Sequence, residues 1–172
     1  AIVVLVAVAT GVMAWQSSRA KAGADLLSRG QAALVGPIAA EESPEPDAPY
    51  TPTFSSEEAR YQEALERLDT AAGAGGQVGR VARFLRGVAL LESGQAEEAV
   101  KVLEDAVERL GNDPSIGGAV RARLAHAYLR TGQLEAAVEI WRKLTDEDAD
   151  FSGDLALLEL GRVHQARGDV SA

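Results

Sequence analysis

GVALLESGQAEEA at residues 87–99, AHAYLRTGQLEAA at 125–137 and GRVHQARGD at 161–169 are three renderings of one pattern. Setting Gly94, Gly132 and Gly168 in register, 38 and then 36 residues apart, aligns Gly87, Ala125 and Gly161 seven positions upstream. Leu90, Tyr128 and His164 then align four upstream, and Gln95, Gln133 and Asp169 one downstream. Further on, Ala99 matches Ala137 and Leu103 matches Trp141. A period of roughly 34–40 residues with small residues at fixed offsets predicts stacked helical hairpins, each burying its apolar face only against its neighbours. Such arrays offer an extended surface to other proteins, so function has to be sought in surface and address.

The small residues have a mechanical task. Gly87, Ala125 and Gly161 stand where the first helix of each hairpin, helix A, must approach helix B closely, and Ala99 and Ala137 make the reciprocal contact. Ser93-Gly94-Gln95, Thr131-Gly132-Gln133 and Arg167-Gly168-Asp169 are the turns, with glycine supplying the left-handed residue that ends helix A. Beyond them Ala99, Leu103, Ala106 and Leu110, and again Ala137, Trp141 and Leu144, come at helical spacing and predict one apolar face. No valine-rich run bounded by turn residues occurs after the first ten residues, so the expected fold is all-α, without a sheet.

This pattern resembles the tetratricopeptide repeat. Ala125, Tyr128, Gly132, Ala137 and Trp141 match the small, aromatic, glycine, alanine and aromatic positions of that family in order. Gly87, Gly94, Ala99 and Ala106 match in the preceding repeat, and Leu160, Gly161 and Gly168 in the third. Arg86 stands where the family has leucine, His164 where it has an aromatic and Leu144 where it has a final alanine; only the first repeat has its closing proline, Pro114.

Composition narrows the function classes. The chain has 172 residues, enough for one modest domain with extras. It has no cysteine, which excludes disulfides, thiolate metal sites and cysteine nucleophiles. A net charge of −9 without a basic stripe argues against nucleic acid. Glu97, Glu98, Glu104, Asp105 and Glu108 read as the solvated face of helix B. The two histidines lie one repeat apart, with His164 expected in packing and His126 exposed toward the concave face, and no third metal ligand converges on them. The acidic loop 146–150 lacks the glycine and terminal glutamate of an EF-hand, and glycines 73, 75, 76 and 79 lack the Gly-Lys-Ser/Thr of a phosphate loop. No catalytic residue, metal or cofactor is expected.

The first residues carry the address. AIVVLVAVATGVMAW at 1–15 is uncharged and closes on Trp15, before Gln16 and Arg19. A spanning helix needs about 20 apolar residues; the chain opens at Ala1 without an initiator methionine, so the expectation is a transmembrane anchor over residues 1–18 trimmed at its outer end, with Trp15 at the interface. A signal-peptide core cleaved after Val12-Met13-Ala14 is one rival and a buried soluble helix another. Arg19 and Lys21 favour a cytoplasmic location for the C-terminal side of the apolar run, but its N-terminal flank is not there to be compared. A juxtamembrane helix over 19–36, with Ala20, Ala24, Leu27 and Leu34 on one face, stops at Gly36-Pro37. Residues 37–55 hold five of the six prolines with Glu41, Glu42, Glu45 and Asp47, a Pro-rich acidic linker. Repeats occupy 56–172. Ser55 and Glu58 have capping-box spacing with Phe54 as staple, Tyr61, Leu65 and Leu68 give the face of the next helix, and helices 16–35 and 56–72 are expected to pair. Helix 154–167 lacks a helix B within the sequence, so extension by roughly 20–40 residues is expected to raise solubility.

One anchor, an acidic insertion and a few divergent repeats is also the layout of a bacterial family that this chain resembles, the ancillary subunit of the SecYEG translocon. The resemblance implies a single-pass inner-membrane protein with a periplasmic repeat domain. Its partners would be the Sec translocon or a periplasmic chaperone; the alternative is a soluble periplasmic or outer-membrane-associated repeat protein in envelope assembly or cell division.

Helix A residues form the concave face in this repeat class, which predicts a protein-binding groove from Phe84, Val88 and Leu91, then Arg123, His126 and Arg130, then Glu159 and Arg162. Chaperone-tail clamps need lysine and asparagine where Phe84 and Val88 stand, so an amphipathic or acidic protein segment is the expected ligand. The competing reading packs Phe84 and Val88 under the preceding hairpin and pairs the arginines with nearby glutamates.

Overall fold

The computed structural model describes residues 2–38, 52–146 and 153–167, apart from the side chains of 2–16, 146, 153, 155, 166 and 167. These residues form helices α1 (Ile2–Val35), α2 (Glu57–Ala72), α3 (Gly76–Glu92), α4 (Ala96–Leu110), α5 (Gly117–Arg130), α6 (Leu134–Asp146) and α7 (Gly153–Arg167). The only β pairing among them is an isolated bridge between Ile38 and Phe54, so the all-α expectation holds. Two compact units divide within α3, Ala1–Arg86 and Gly87–Ala172.

In the first unit α1 lies antiparallel to α2. Gly23 faces Ala74, Gly30 faces Leu68, and Gly36 faces Phe54 and Pro52. A Cβ on Gly30 would stand 2.8 Å from the Leu68 side chain, so the missing side chain is what lets the helices touch. The buried stripe of α1 is therefore Gly23, Gly30 and Ala33; Ala20 and Ala24, expected on that face, are exposed, and Leu27 and Leu34 are half-buried. On α2 the buried residues are Ala64, Leu68, Ala71 and Ala72, with Tyr61 and Leu65 at the margin. Helix α2 is capped one residue later than its capping-box spacing suggested. Ser56, not Ser55, is extended at φ −156° and its hydroxyl accepts from the Ala59 N–H at 3.1 Å. Phe54 is engaged elsewhere, its N–H donating to Pro37 O at 3.1 Å and its ring lying over Gly36. Arg19 donates to Gly73 O at 3.1 Å, which ends the pairing, so the part of α1 before Arg19 runs on past the C-terminus of α2.

The apolar run at 1–15 lies in that N-terminal part of α1, whose side chains are outside the described residues, as is most of the acidic linker. Among the described residues no helix is long and apolar enough to cross a membrane.

The second unit shows why the repeat pattern exists. Gly94 sits at φ 83° and Gly132 at φ 74°, the left-handed region. Gln95 N–H bonds Leu90 O at 2.8 Å and Gly94 N–H bonds Leu91 O at 3.2 Å. Gln133 to Tyr128 and Gly132 to Leu129 repeat both distances. Each turn thus satisfies two orphan carbonyls at the end of helix A in a Schellman arrangement. Gln95 and Gln133 also donate from their side chains to Ser93 and Thr131, at 3.0 and 2.9 Å. Past the turn, Leu103 of α4 presses on Gly87, where an added Cβ would meet it at 2.7 Å. Trp141 of α6 is fully buried in one cluster with Ala122 and Ala125 of α5, Ala137 and Leu144 of α6, and Ala156 and Val163 of α7. Helices α4 to α7 thus pack each on the next. The third turn, at Gly168, lies outside the described residues.

Candidate protein-binding face

Helices α5 and α7 present their charged side chains from neighbouring positions. Arg123, His126 and Arg130 succeed one another at spacings that share a helix face, and α7 brings Glu159, the partner of Arg162, within electrostatic reach of His126. Burial lowers the His126 pKa first. Arg123 and Arg130 lower it further, against the opposing pull of Glu159 and Glu92, so the imidazole is neutral at neutral pH. These five groups therefore share one electrostatic neighbourhood.

The remaining expected residues are placed differently. Leu91 is only 2% exposed and Glu159 7%, so both belong to the packed interior, a correction to their reading as surface positions. Val88 is half-buried in the second unit, and Phe84, also half-buried, belongs to the first unit. His126 is half-buried rather than exposed: its ring stands edge-on to Trp141 with centroids 5.2 Å apart. His164, expected in core or partly buried packing, is partly buried.

Two of the arginines are held by acids. Arg123 pairs with Glu92 at 3.2 Å, a residue that the spacing of the groove positions does not single out although it occupies the Arg130 position one repeat earlier. Arg162 pairs with Glu159 at 2.5 Å, one turn away on α7. Because Glu159 is buried, that pair orients Arg162, whose own side chain remains 63% exposed. Arg130 is exposed at the end of α5, and no acid among the described residues pairs with it. Behind this face Tyr128 donates to Glu104 of α4 at 2.8 Å; burial, with this bond, pushes the phenol up to about 12. The arrangement can hold a carboxylate-bearing segment through guanidinium groups. It has no nucleophile paired with a base, and among the described residues no group of histidines and acids could hold a metal ion.

Comparison with known families identifies the repeating unit. The family model described as tetratricopeptide repeat matches residues 82–109 and 119–151, so the chain carries such repeats through α3–α4 and α5–α6. No curated protein and no solved structure matches the chain.

Proposed function

We propose that this protein is a binding scaffold that captures an acidic segment of a protein partner on the α5–α7 face, tethered to a membrane by the apolar run at 1–15. The observation that carries the binding reading is Arg130, an exposed guanidinium without an acid partner among the described residues, on the same face of α5 as the acid-held Arg123, on a protein of net charge −9. The tetratricopeptide repeats support a protein ligand, since arrays of this kind work by presenting surface. Support for tethering comes from the uncharged run itself and from the continuity of its backbone helix, Ile2–Val35, with the paired α1–α2 hairpin. On this reading the protein works in a bacterial envelope or secretion complex, with the repeats on the periplasmic side of the inner membrane and the Sec translocon or a chaperone among its partners; the order of apolar run, acidic linker and divergent repeats supports it.

Two measurements test this. Protein expressed with its apolar run is extracted with carbonate and treated with protease in spheroplasts; retention in the pellet and degradation of the repeats support a tethered, periplasmic domain, and release into the supernatant contradicts the anchor. Crosslinking from the membrane-embedded protein then compares the parent with an Arg123→Glu, Arg130→Glu double variant. Loss of crosslinked partners at unchanged melting temperature supports the arginine face, and an unchanged set contradicts it.

A further inference from the structure

Glu92 of α3 and Arg123 of α5 form an ion pair at 3.2 Å between neighbouring repeats. In the register of the turns Glu92 becomes Arg130 one repeat on, 38 residues later, and Arg123 becomes Glu159, 36 residues later. The same two positions therefore hold opposite charges a second time, with the signs exchanged. The packing beneath them is equivalent. Val120 and Ala127 on α5, and their counterparts Ala156 and Val163 on α7, are all buried. Glu159 thus stands to Arg130 as Arg123 stands to Glu92.

The second pair is not closed in the same way. The Glu159 carboxylate is turned to Arg162 on its own helix at 2.5 Å, and Arg130 keeps an exposed guanidinium without an acid partner among the described residues. Glu159 is also the only charged residue that is buried among the described ones, so its carboxylate is a fixed feature of the face. On the other side Glu92 is spent on Arg123. Both acids act on the ring of His126, which lies between Arg123 and Arg130 along α5. Arg130 is therefore an open cation flanked by two acids that already have partners.

We propose that the arginine face selects a segment bearing one isolated carboxylate, which Arg130 takes, and that Glu92 and Glu159 turn away a run of acids. The inference rests on the arginine-face reading and narrows its ligand from an acidic segment to a single acid between neutral residues. One guanidinium accepts one carboxylate in its planar fork. Along an extended ligand the next side chain on the same side follows after roughly 7 Å. That is inside the screening length of about 8 Å at physiological salt, so a second acid there meets Glu92 or Glu159 with little screening. Like charges brought together across an interface discriminate between ligands by repulsion.

The probes are two Gly-Ser peptides with blocked termini, one with a single central glutamate and one with a central run of glutamates. Each is titrated to about millimolar into the full chain in detergent, with the backbone amide signals of α5 as the readout. The parent should bind the single-glutamate peptide at least as tightly as the run. Glu159→Gln should tighten binding of the run by about fivefold or more and leave the single-glutamate peptide within about twofold. Because Glu159 is buried and this variant could lose stability, Glu92→Gln on the exposed side is the second variant and should act in the same direction. Glu135→Gln makes the same change of charge on the exposed surface of α6 and should alter neither peptide, which separates local repulsion from net charge. In Arg130→Gln the gain from Glu159→Gln should vanish. A parent that prefers the run, an equal gain for both peptides, no gain in either Glu159→Gln or Glu92→Gln, or a gain that survives Arg130→Gln would overturn the selection while leaving the arginine face in place. Binding of neither peptide, or binding indifferent to Arg130→Gln, would overturn the arginine face and the selection with it.

Discussion

His126 is the residue whose titration is built into the packing. Its folded pKa lies below the ordinary 6.5, so on acidification the unfolded chain takes up the proton first. Its contribution to stability is complete above about pH 6.5 and is lost as the pH falls below that value. Melting the parent at about pH 7.5 and about pH 5.5 should show a drop that His126→Phe reduces, because phenylalanine keeps an aromatic edge against Trp141 without the charge. An equal drop in both proteins would show that His126 does not couple to folding. Gly132 gives a second prediction. At φ 74°, Gly132→Ala should destabilise by about 1 kcal/mol, the cost of a left-handed alanine, although an added Cβ meets nothing within 4 Å. Unchanged chemical denaturation would contradict the turn geometry. Turn glycines were legible because their need is local. The burial of His126 was not, because periodicity places it one ridge from Ala125 and only the width of the Trp141 ring from α6 brings it into contact.

At the scale of elements the fold depends on what passes between helix A and helix B. Trp141→Ala should cost about 3–5 kcal/mol, as removal of a buried aromatic does. Ala137→Leu should cost about 1–3 kcal/mol by overpacking a position with no exposed surface. If denaturant midpoints of both match the parent, the packing register is wrong. These positions were readable in the sequence because they recur. The α1–α2 pair recurs nowhere, and there the apolar spacing misled. Large residues such as Leu27 and Leu34 suggested the interface, while the helices meet over Gly23 and Gly30, where the absence of side chain allows the closest approach. Accordingly Gly30→Leu, directed at Leu68, should destabilise the first unit more than Leu34→Ala; circular dichroism during denaturation of the two variants measures this. The reverse order would contradict the glycine interface.

For the whole molecule, the repeats were legible and the ligand only in outline. Arginine at 123, 130 and 162 could be placed on helix A faces from the register, but which of them an acid already holds depends on pairs such as Arg123–Glu92, 31 residues apart, that no spacing rule gives. Side-chain depth was equally hidden, since Leu91 and Arg130 both fall on helix A yet one is interior and the other exposed. The central claim is that a protein partner is held on the faces of α5 and α7. Hydrogen exchange on the protein, with and without a partner captured by crosslinking, tests it most directly. Slowed exchange confined to 117–130 and 153–167, and lost in the Arg123→Glu, Arg130→Glu variant, is the predicted result. Slowed exchange over α4 and α6 alone, or a footprint indifferent to the two arginines, would contradict it.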